Sequence, residues 1–187
     1  PTDTGIPWEL AEHRTRTIEG LRYKITLDIP EDRADPIQGR SLITFGWTDS
    51  DEQPLVLDFM NPGDRVHSVV VNGTDAAWEP VNDHVVISAE LLRNGAMNEV
   101  DLTYDVGDEA FNRSDEFLYA LFVPDRAHFS LPLFDQPNLK APVEWKVSAP
   151  EGWKVIANGP AAEGTRLNGR QTTNFLETRP IPTYLFA

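Results

Sequence analysis

The chain has 187 residues, with 16 Lys plus Arg against 30 Asp plus Glu and a formal net charge of −14. That length suits one domain or two small ones, and 40% apolar with 10% aromatic residues excludes a disordered tail. The acidity leaves no large basic face for nucleic acid, the absence of Cys excludes a disulfide scaffold, a thiolate metal site and a Cys nucleophile, and no run approaches the roughly 20 apolar residues that span a bilayer.

The first segment, PTDTGIPWEL, has no initiator Met, no basic stretch and no apolar core. It reads as a trimmed or processed chain. An export signal already removed is one expectation, and it would place the protein in a periplasm or at a surface. Residues 5–17 read as a helix. Gly5 or Thr4 would cap it, Pro7 suits its first turn, Glu9 and Glu12 lie near its start, and Arg14 and Arg16 near its end. Its apolar stripe, Trp8, Leu10, Ala11 and Ile18, is loose.

After Gly20 the period changes to two. Leu21, Tyr23, Ile25, Leu27 and Ile29 alternate with Arg22, Lys24, Thr26 and Asp28, which predicts a strand with one buried face. Ile43, Phe45 and Trp47 predict a second. Asp49 to Pro54 is an acidic loop. Leu55, Leu57 and Phe59 predict a third strand, closed by a turn at Asn61-Pro62-Gly63-Asp64. Val66 to Val71 predicts a fourth, and Asn72-Gly73 is a strong hairpin signal that returns Ala76 to Glu79 against it. His84 to Ile87 is a short strand, Ser88 to Arg93 one helical turn, and Val100, Leu102, Tyr104 and Val106 alternate again. Gly107 to Glu116 is polar and reads as mobile. Further strands are predicted at Phe117–Val123, Phe129–Leu133, Val143–Val147, Lys154–Ala157 and Arg170–Thr178. Strands about ten residues apart, with turn residues between them, predict an all-β fold, an antiparallel saddle-like β-sandwich with a short N-terminal helix.

Few motifs carry chemistry. His13, His67, His84 and His128 are not spaced as H-E-x-x-H. His67 and His84 sit in strand-like runs and read as polar residues on a wet face. No Ser lies in G-x-S-x-G, and no phosphate loop or dinucleotide fingerprint is present. Carboxylates are abundant in any acidic chain, so their pairing points to no glycosidase or other hydrolase. Trp8, Trp47, Trp78, Trp145 and Trp153 would serve a stand-alone carbohydrate- or peptide-binding module as stacking platforms, although Trp47 and Trp145 fall on the apolar phase of strands. Asp135 stands in a sharp turn after Phe134, where it would accept backbone N–H bonds. Lys140 either answers that carboxylate or reaches solvent.

The stretch Phe134-Asp135-Gln136-Pro137-Asn138-Leu139-Lys140-Ala141 resembles the F-D-x-P-x-x-K-A segment in the N-terminal domain of the aminopeptidase N family of zinc metallopeptidases, the gluzincins. Further pieces follow in that family's order. Leu21 to Ile29 resembles the opening strand. Val147-Ser-Ala-Pro-Glu-Gly-Trp153 with Ala157-Asn158-Gly159 resembles a V-x-x-P-x-x-W signature followed by A-N-G, and Thr178 to Leu185 resembles the closing T-x-x-I-P-T-Y-L segment. The resemblance covers roughly residues 20–187 and leaves 1–19 as a helical extension.

The resemblance implies a saddle-shaped β-domain that packs on its own C-terminal catalytic domain, where the H-E-x-x-H zinc helix and the G-x-M-E-N loop would lie. Neither motif occurs in this chain. No zinc ligand and no catalytic residue is therefore expected here, and the implied role is one wall of a cleft that receives a peptide substrate's N-terminus. Many family members offer a Gln or Glu there to the substrate's α-amino group. Counted back from Pro137 without a gap, those positions are held by Leu121 and Val123; a slip of one or two residues moves the second toward Asp125. A valine accepts no hydrogen bond. The resemblance thus implies an incomplete amine anchor, an anchor supplied from elsewhere, or a different substrate, and it marks the Leu121 to His128 segment as the cleft lining.

Overall fold

The computed structural model describes residues 5–49 and 53–187. Thr4, one of the two expected caps, and residues 50–52 of the acidic loop lie outside the described residues. The helix, α1, runs Trp8–Thr17. Pro7 takes the cap position, with φ −57°, and Ala11 N donates to its carbonyl at 3.0 Å. Gly5 lies two residues before it. Within α1 only Leu10, Arg14 and Thr17 are buried, which is why its apolar stripe reads as loose.

The strands are β1 (Ile18–Asp28), β2 (Gln38–Trp47), β3 (Leu55–Asp58), β4 (Val66–Val71), β5 (Thr74–Asp75), β6 (Trp78–Val81), β7 (His84–Ile87), β8 (Ala96–Asp105), β9 (Phe111–Arg113), β10 (Leu118–Ala120), β11 (Val143–Pro150), β12 (Thr165–Leu167) and β13 (Arg170–Phe175). One eight-stranded sheet has the order β12-β13-β11-β1-β2-β8-β4-β5. A three-stranded sheet, β3-β7-β6, and a hairpin, β10-β9, accompany it. The all-β sandwich with one short helix is therefore as expected. Among the described residues its strand pairs are antiparallel with one exception: β1 and β11 run parallel, Tyr23 opposite Val143 through Asp28 opposite Ser148. Parallel neighbours need a crossover of a dozen or more residues, and β11 lies far along the chain from β1.

Several expected strands take other forms. The return after Asn72-Gly73, both at positive φ, ends at Asp75. Trp78–Val81 then leaves that sheet and pairs with β7. Pro80, which has no N–H to give, is tolerated because β6 is an edge strand. Phe129–Leu133 is not a strand: one 3₁₀ turn covers Ala127–Phe129, and Leu133 makes a single bridge to Asp58. Lys154–Ala157 forms no strand, and of Phe117–Val123 only Leu118–Ala120 pairs. Gly107–Glu116, read as polar and mobile, instead contains a 3₁₀ turn at Asp108–Ala110 and all of β9.

The core lies between the large sheet and the two small ones. Phe45 meets Phe134 edge-on at 5.9 Å and Phe59 meets Tyr104 at 5.3 Å. Trp47 and Trp145 are in this core, Trp78 and Trp153 pack partly against it, and Trp8 is exposed on α1. The five rings therefore do not line one sheet face as a sugar platform would.

Candidate functional site

The segment that the sequence marks as a cleft lining begins where β10 ends. Phe122 is buried and meets Phe111 of β9 edge-on at 6.0 Å. Leu121 N donates to Ala110 O at 2.8 Å, and Arg126 N closes a turn on Phe122 O at 2.8 Å, across the cis Val123–Pro124 bond. With Phe122 turned inward, its neighbours turn outward. Leu121 and Val123 are 51% and 50% exposed, and Phe117 and Tyr119, which stack at 6.0 Å, are each 49% exposed. These alternating positions present four apolar side chains outward.

Side chains hold the far end of the segment. Arg65 donates to Phe129 O at 3.0 Å and to Glu109 at 2.6 Å, and the Arg126 guanidinium donates to Glu109 O while lying 5.5 Å from the Phe129 ring centre. Ser130 Oγ donates to Gly107 O at 2.7 Å. The backbones approach so closely that a Cβ at Gly107 would stand 1.9 Å from Phe129 O. Only glycine fits there.

Behind this segment lies a buried polar frame with two carboxylates at its centre. Asp135 Oδ2 accepts from His128 Nδ1 at 2.7 Å and from His128 N at 3.1 Å, and Asp135 Oδ1 accepts from Thr183 Oγ1 at 2.5 Å. Asp58 accepts both Arg14 terminal nitrogens, at 2.8 and 2.7 Å, His84 Nδ1 at 3.0 Å and the Asp135 backbone N–H at 2.8 Å. Tyr23 Oη accepts from Phe134 N at 3.0 Å.

Burial pushes Asp58 toward its neutral acid, but the Arg14 charge and the His84, Arg14 and Asp135 hydrogen bonds outweigh it and hold its pKa below the usual value. Burial likewise opposes a charged His128. The Asp135 hydrogen bond and charge, with Asp58 and Asp125 beyond, outweigh it and raise that pKa. Burial raises the pKa of Tyr23, which holds its phenol neutral.

This arrangement fixes its groups against one another. His128 and Thr183 both bond Asp135, and Ser130 points to Gly107, so these hydrogen bonds set no hydroxyl against the imidazole as a nucleophile–base pair requires. Nor does the frame fit a zinc ion: among the described residues no three His, Cys, Asp or Glu side chains converge.

Of the residues the sequence singles out, Leu121 and Val123 stand together in the apolar row. Asp125 is exposed beyond them and accepts no hydrogen bond from the described residues. Lys140 does not answer Asp135, whose partners are His128 and Thr183; it reaches solvent. His67 is on the wet face, paired with Asp105 at 2.9 Å. His84 is not: it is buried against Asp58. Sequence reasoning missed the Arg14–Asp58–His84 group. Its one signal was Asp58, a charge inside the apolar run Leu55 to Phe59.

The motif resemblance is met by comparison with known proteins. The family model described as the peptidase M1 N-terminal domain matches residues 103–185. Aminopeptidase N of Streptomyces lividans is 30% identical over 172 residues, 86% of this chain and 20% of that protein. Leucyl aminopeptidase of Saccharolobus solfataricus is 28% identical over 88% of this chain and 21% of its own length. The chain thus spans about a fifth of the curated relatives it matches. Its fold is also that of part of an M1 zinc metallopeptidase from Deinococcus radiodurans, with a TM-score of 0.74, 24% identity, and coverage of 90% of this chain and 41% of that one.

Proposed function

We infer the role of this chain from its kind, an N-terminal β-domain of the aminopeptidase N family of zinc metallopeptidases. It is the non-catalytic part of a zinc aminopeptidase. It packs on a catalytic domain that holds the zinc, and the Leu121 to His128 segment forms one wall of the entrance for a peptide's N-terminus. The observation that carries this reading is the exposed row Phe117, Tyr119, Leu121 and Val123 on a segment pinned from behind. Exposed apolar side chains gathered in one place mark a surface that meets another molecule or domain.

The row also bears on the substrate. An ammonium at such a wall finds no acceptor on Leu121 or Val123 and loses hydration there, which costs free energy. As it stands, this wall therefore leaves the substrate's amino group without a partner on these two residues. Asp125, exposed within the segment, is the carboxylate nearest in sequence to Leu121 and Val123.

The test is direct. With added zinc, this chain should not hydrolyse leucine p-nitroanilide above the uncatalysed rate. Hydrolysis that a chelator abolishes would overturn the reading.

A further inference from the structure

The chain carries four Asn-Gly pairs: Asn72-Gly73, Asn94-Gly95, Asn158-Gly159 and Asn168-Gly169. Such a pair is chemically labile. Glycine has no side chain to shield its backbone nitrogen, which can close on the carbonyl carbon of the preceding Asn side chain. Closure needs an Asn amide free to swing toward that nitrogen and a glycine N–H not committed to another acceptor.

The fold withholds these conditions at three of the four pairs. Asn72 is held at both ends of its amide: Nδ2 donates to Leu91 O at 2.8 Å and to Asn98 Oδ1 at 2.9 Å, and Oδ1 accepts from Glu99 N at 3.1 Å. Asn158 is held likewise. Its Oδ1 accepts from Ala187 N at 2.7 Å and from Trp145 Nε1 at 3.3 Å, and its Nδ2 donates to Leu185 O at 3.0 Å. At the Asn94 pair the nitrogen itself is committed, since Gly95 N donates to Trp47 O at 2.8 Å. Asn94 Oδ1 also accepts from Asp49 N at 3.0 Å.

Asn168 and Gly169 differ on every count. They form the exposed tip of the β12–β13 hairpin, between Leu167 and Arg170, which pair with each other. Both take positive φ, 53° and 73°, as a tight hairpin turn requires. Neither the Asn168 side chain nor Gly169 N makes a hydrogen bond with the described residues. Gly169 is tied through its carbonyl, which accepts from Glu151 N at 2.8 Å. The strand leading into the tip, β12, is an edge strand of three exposed residues, so opening the turn disturbs little packing.

We propose that Asn168-Gly169 is a site of spontaneous deamidation and isoaspartate formation in the folded domain. Gly169 N bonds to Asn168 Cγ, the Cγ–Nδ2 bond breaks, and the Gly169 amide proton leaves with the amine as ammonia. A succinimide ring results. Water then opens the ring at either carbonyl, giving an aspartate or an isoaspartate at position 168, with no change of oxidation state. Both products add a negative charge. The isoaspartate also inserts a methylene into the backbone of the turn. The site is independent of the role proposed above, and its failure would leave that role standing.

The test is an incubation of the chain in mildly alkaline buffer, with and without urea, followed by tryptic peptide mapping. Trypsin separates the four pairs into residues 66–93, 94–113, 155–166 and 167–170, and mass spectrometry reads the conversion of amide to acid in each. In the folded chain the Asn168 pair should convert about tenfold or more faster than the other three, whose hydrogen bonds must first break. In urea the four rates should converge. Methyl transfer by protein L-isoaspartate methyltransferase should report isoaspartate in the aged folded chain. Asn168→Gly, which leaves a Gly-Gly turn suited to the same hairpin, should remove most of that signal. Conversion of another pair as fast as Asn168 in the folded chain, the same spread of rates in urea, or an undiminished methyl signal in Asn168→Gly would each overturn the proposal.

Discussion

Two regions of this domain invert the usual distribution of polarity. Around Asp58 and Asp135, charged and polar groups lie in the interior, and both carboxylates are answered by partners, while Arg14 Nε and Gln136 Oε1 have none among the described residues. Along Phe117, Tyr119, Leu121 and Val123, apolar side chains lie at the surface without cover. Both arrangements cost free energy in an isolated domain. The difference lies in what relieves the cost. The buried carboxylates are satisfied within the chain, by Arg14, His84, His128, Thr183 and backbone N–H groups. The apolar row is satisfied only by something outside it. On the function proposed above, the first region serves stability and the second serves function, and they should respond differently to substitution.

The largest expected effect is at Asp58. Asp58→Ala leaves the Arg14 guanidinium buried with no counter-charge and the Asp135 N–H without its acceptor. It should destabilise the domain by about 3–5 kcal/mol in urea unfolding followed by tryptophan fluorescence. A loss below about 1 kcal/mol, the scale of an exposed ion pair, would erase the contrast between the two regions.

A smaller effect should follow from His128. Its folded-state pKa is raised, so its imidazolium contributes stability that is fully present below the ordinary value of 6.5 and is lost as the pH rises through the folded value. The charged groups facing it are Asp135, Asp58 and Asp125, all acidic. The stability gap between the native chain and His128→Gln should be widest below pH 6.5 and narrow as the pH rises through the raised folded value. A gap that widens with rising pH would mean that the imidazole is bound in its neutral form. Asp58 works in the opposite sense: its lowered pKa gives stability above the ordinary 3.8, which is lost as the pH falls toward the folded value.

The smallest effect on stability should come from the row. Leu121→Ser and Val123→Ser remove half-exposed side chains and should change unfolding free energy by no more than about 0.5 kcal/mol. A loss of 2 kcal/mol would place these residues in the core and remove them from the surface account.

Much of this was legible in the sequence, for identifiable reasons. Leu21 to Leu27 alternates with a period of two, and its buried face is the expected one. Asn72-Gly73 announces its hairpin through residues that accept positive φ. What escaped depends on partners far along the chain. The parallel pairing of β1 with β11 leaves no local trace. Phe129 to Leu133 has strand composition, but its backbone is engaged by side chains: Asp135 takes the N–H of His128, and Arg65 takes the carbonyl of Phe129. His84 looked like a wet-face residue because Asp58, which draws it inward, lies 26 positions earlier.

The candidate site divides in the same way. Leu121 and Val123 were reached by counting from the Phe134-Asp135-Gln136-Pro137 turn. Their outward direction is set by Phe122, whose ring finds Phe111.

On the proposed function, Val123 belongs to a wall that meets the substrate's amino-terminal end. Its most direct test is the kinetics of Val123→Glu in the protein that joins this domain to its catalytic domain, with leucine p-nitroanilide as substrate. A carboxylate there gives the ammonium a charge-assisted partner, so KM should fall about tenfold while the domain's unfolding midpoint holds. Unchanged KM and kcat/KM in a variant that folds normally would contradict the claim, because a group remote from the cleft is the only kind whose charge the substrate would not sense.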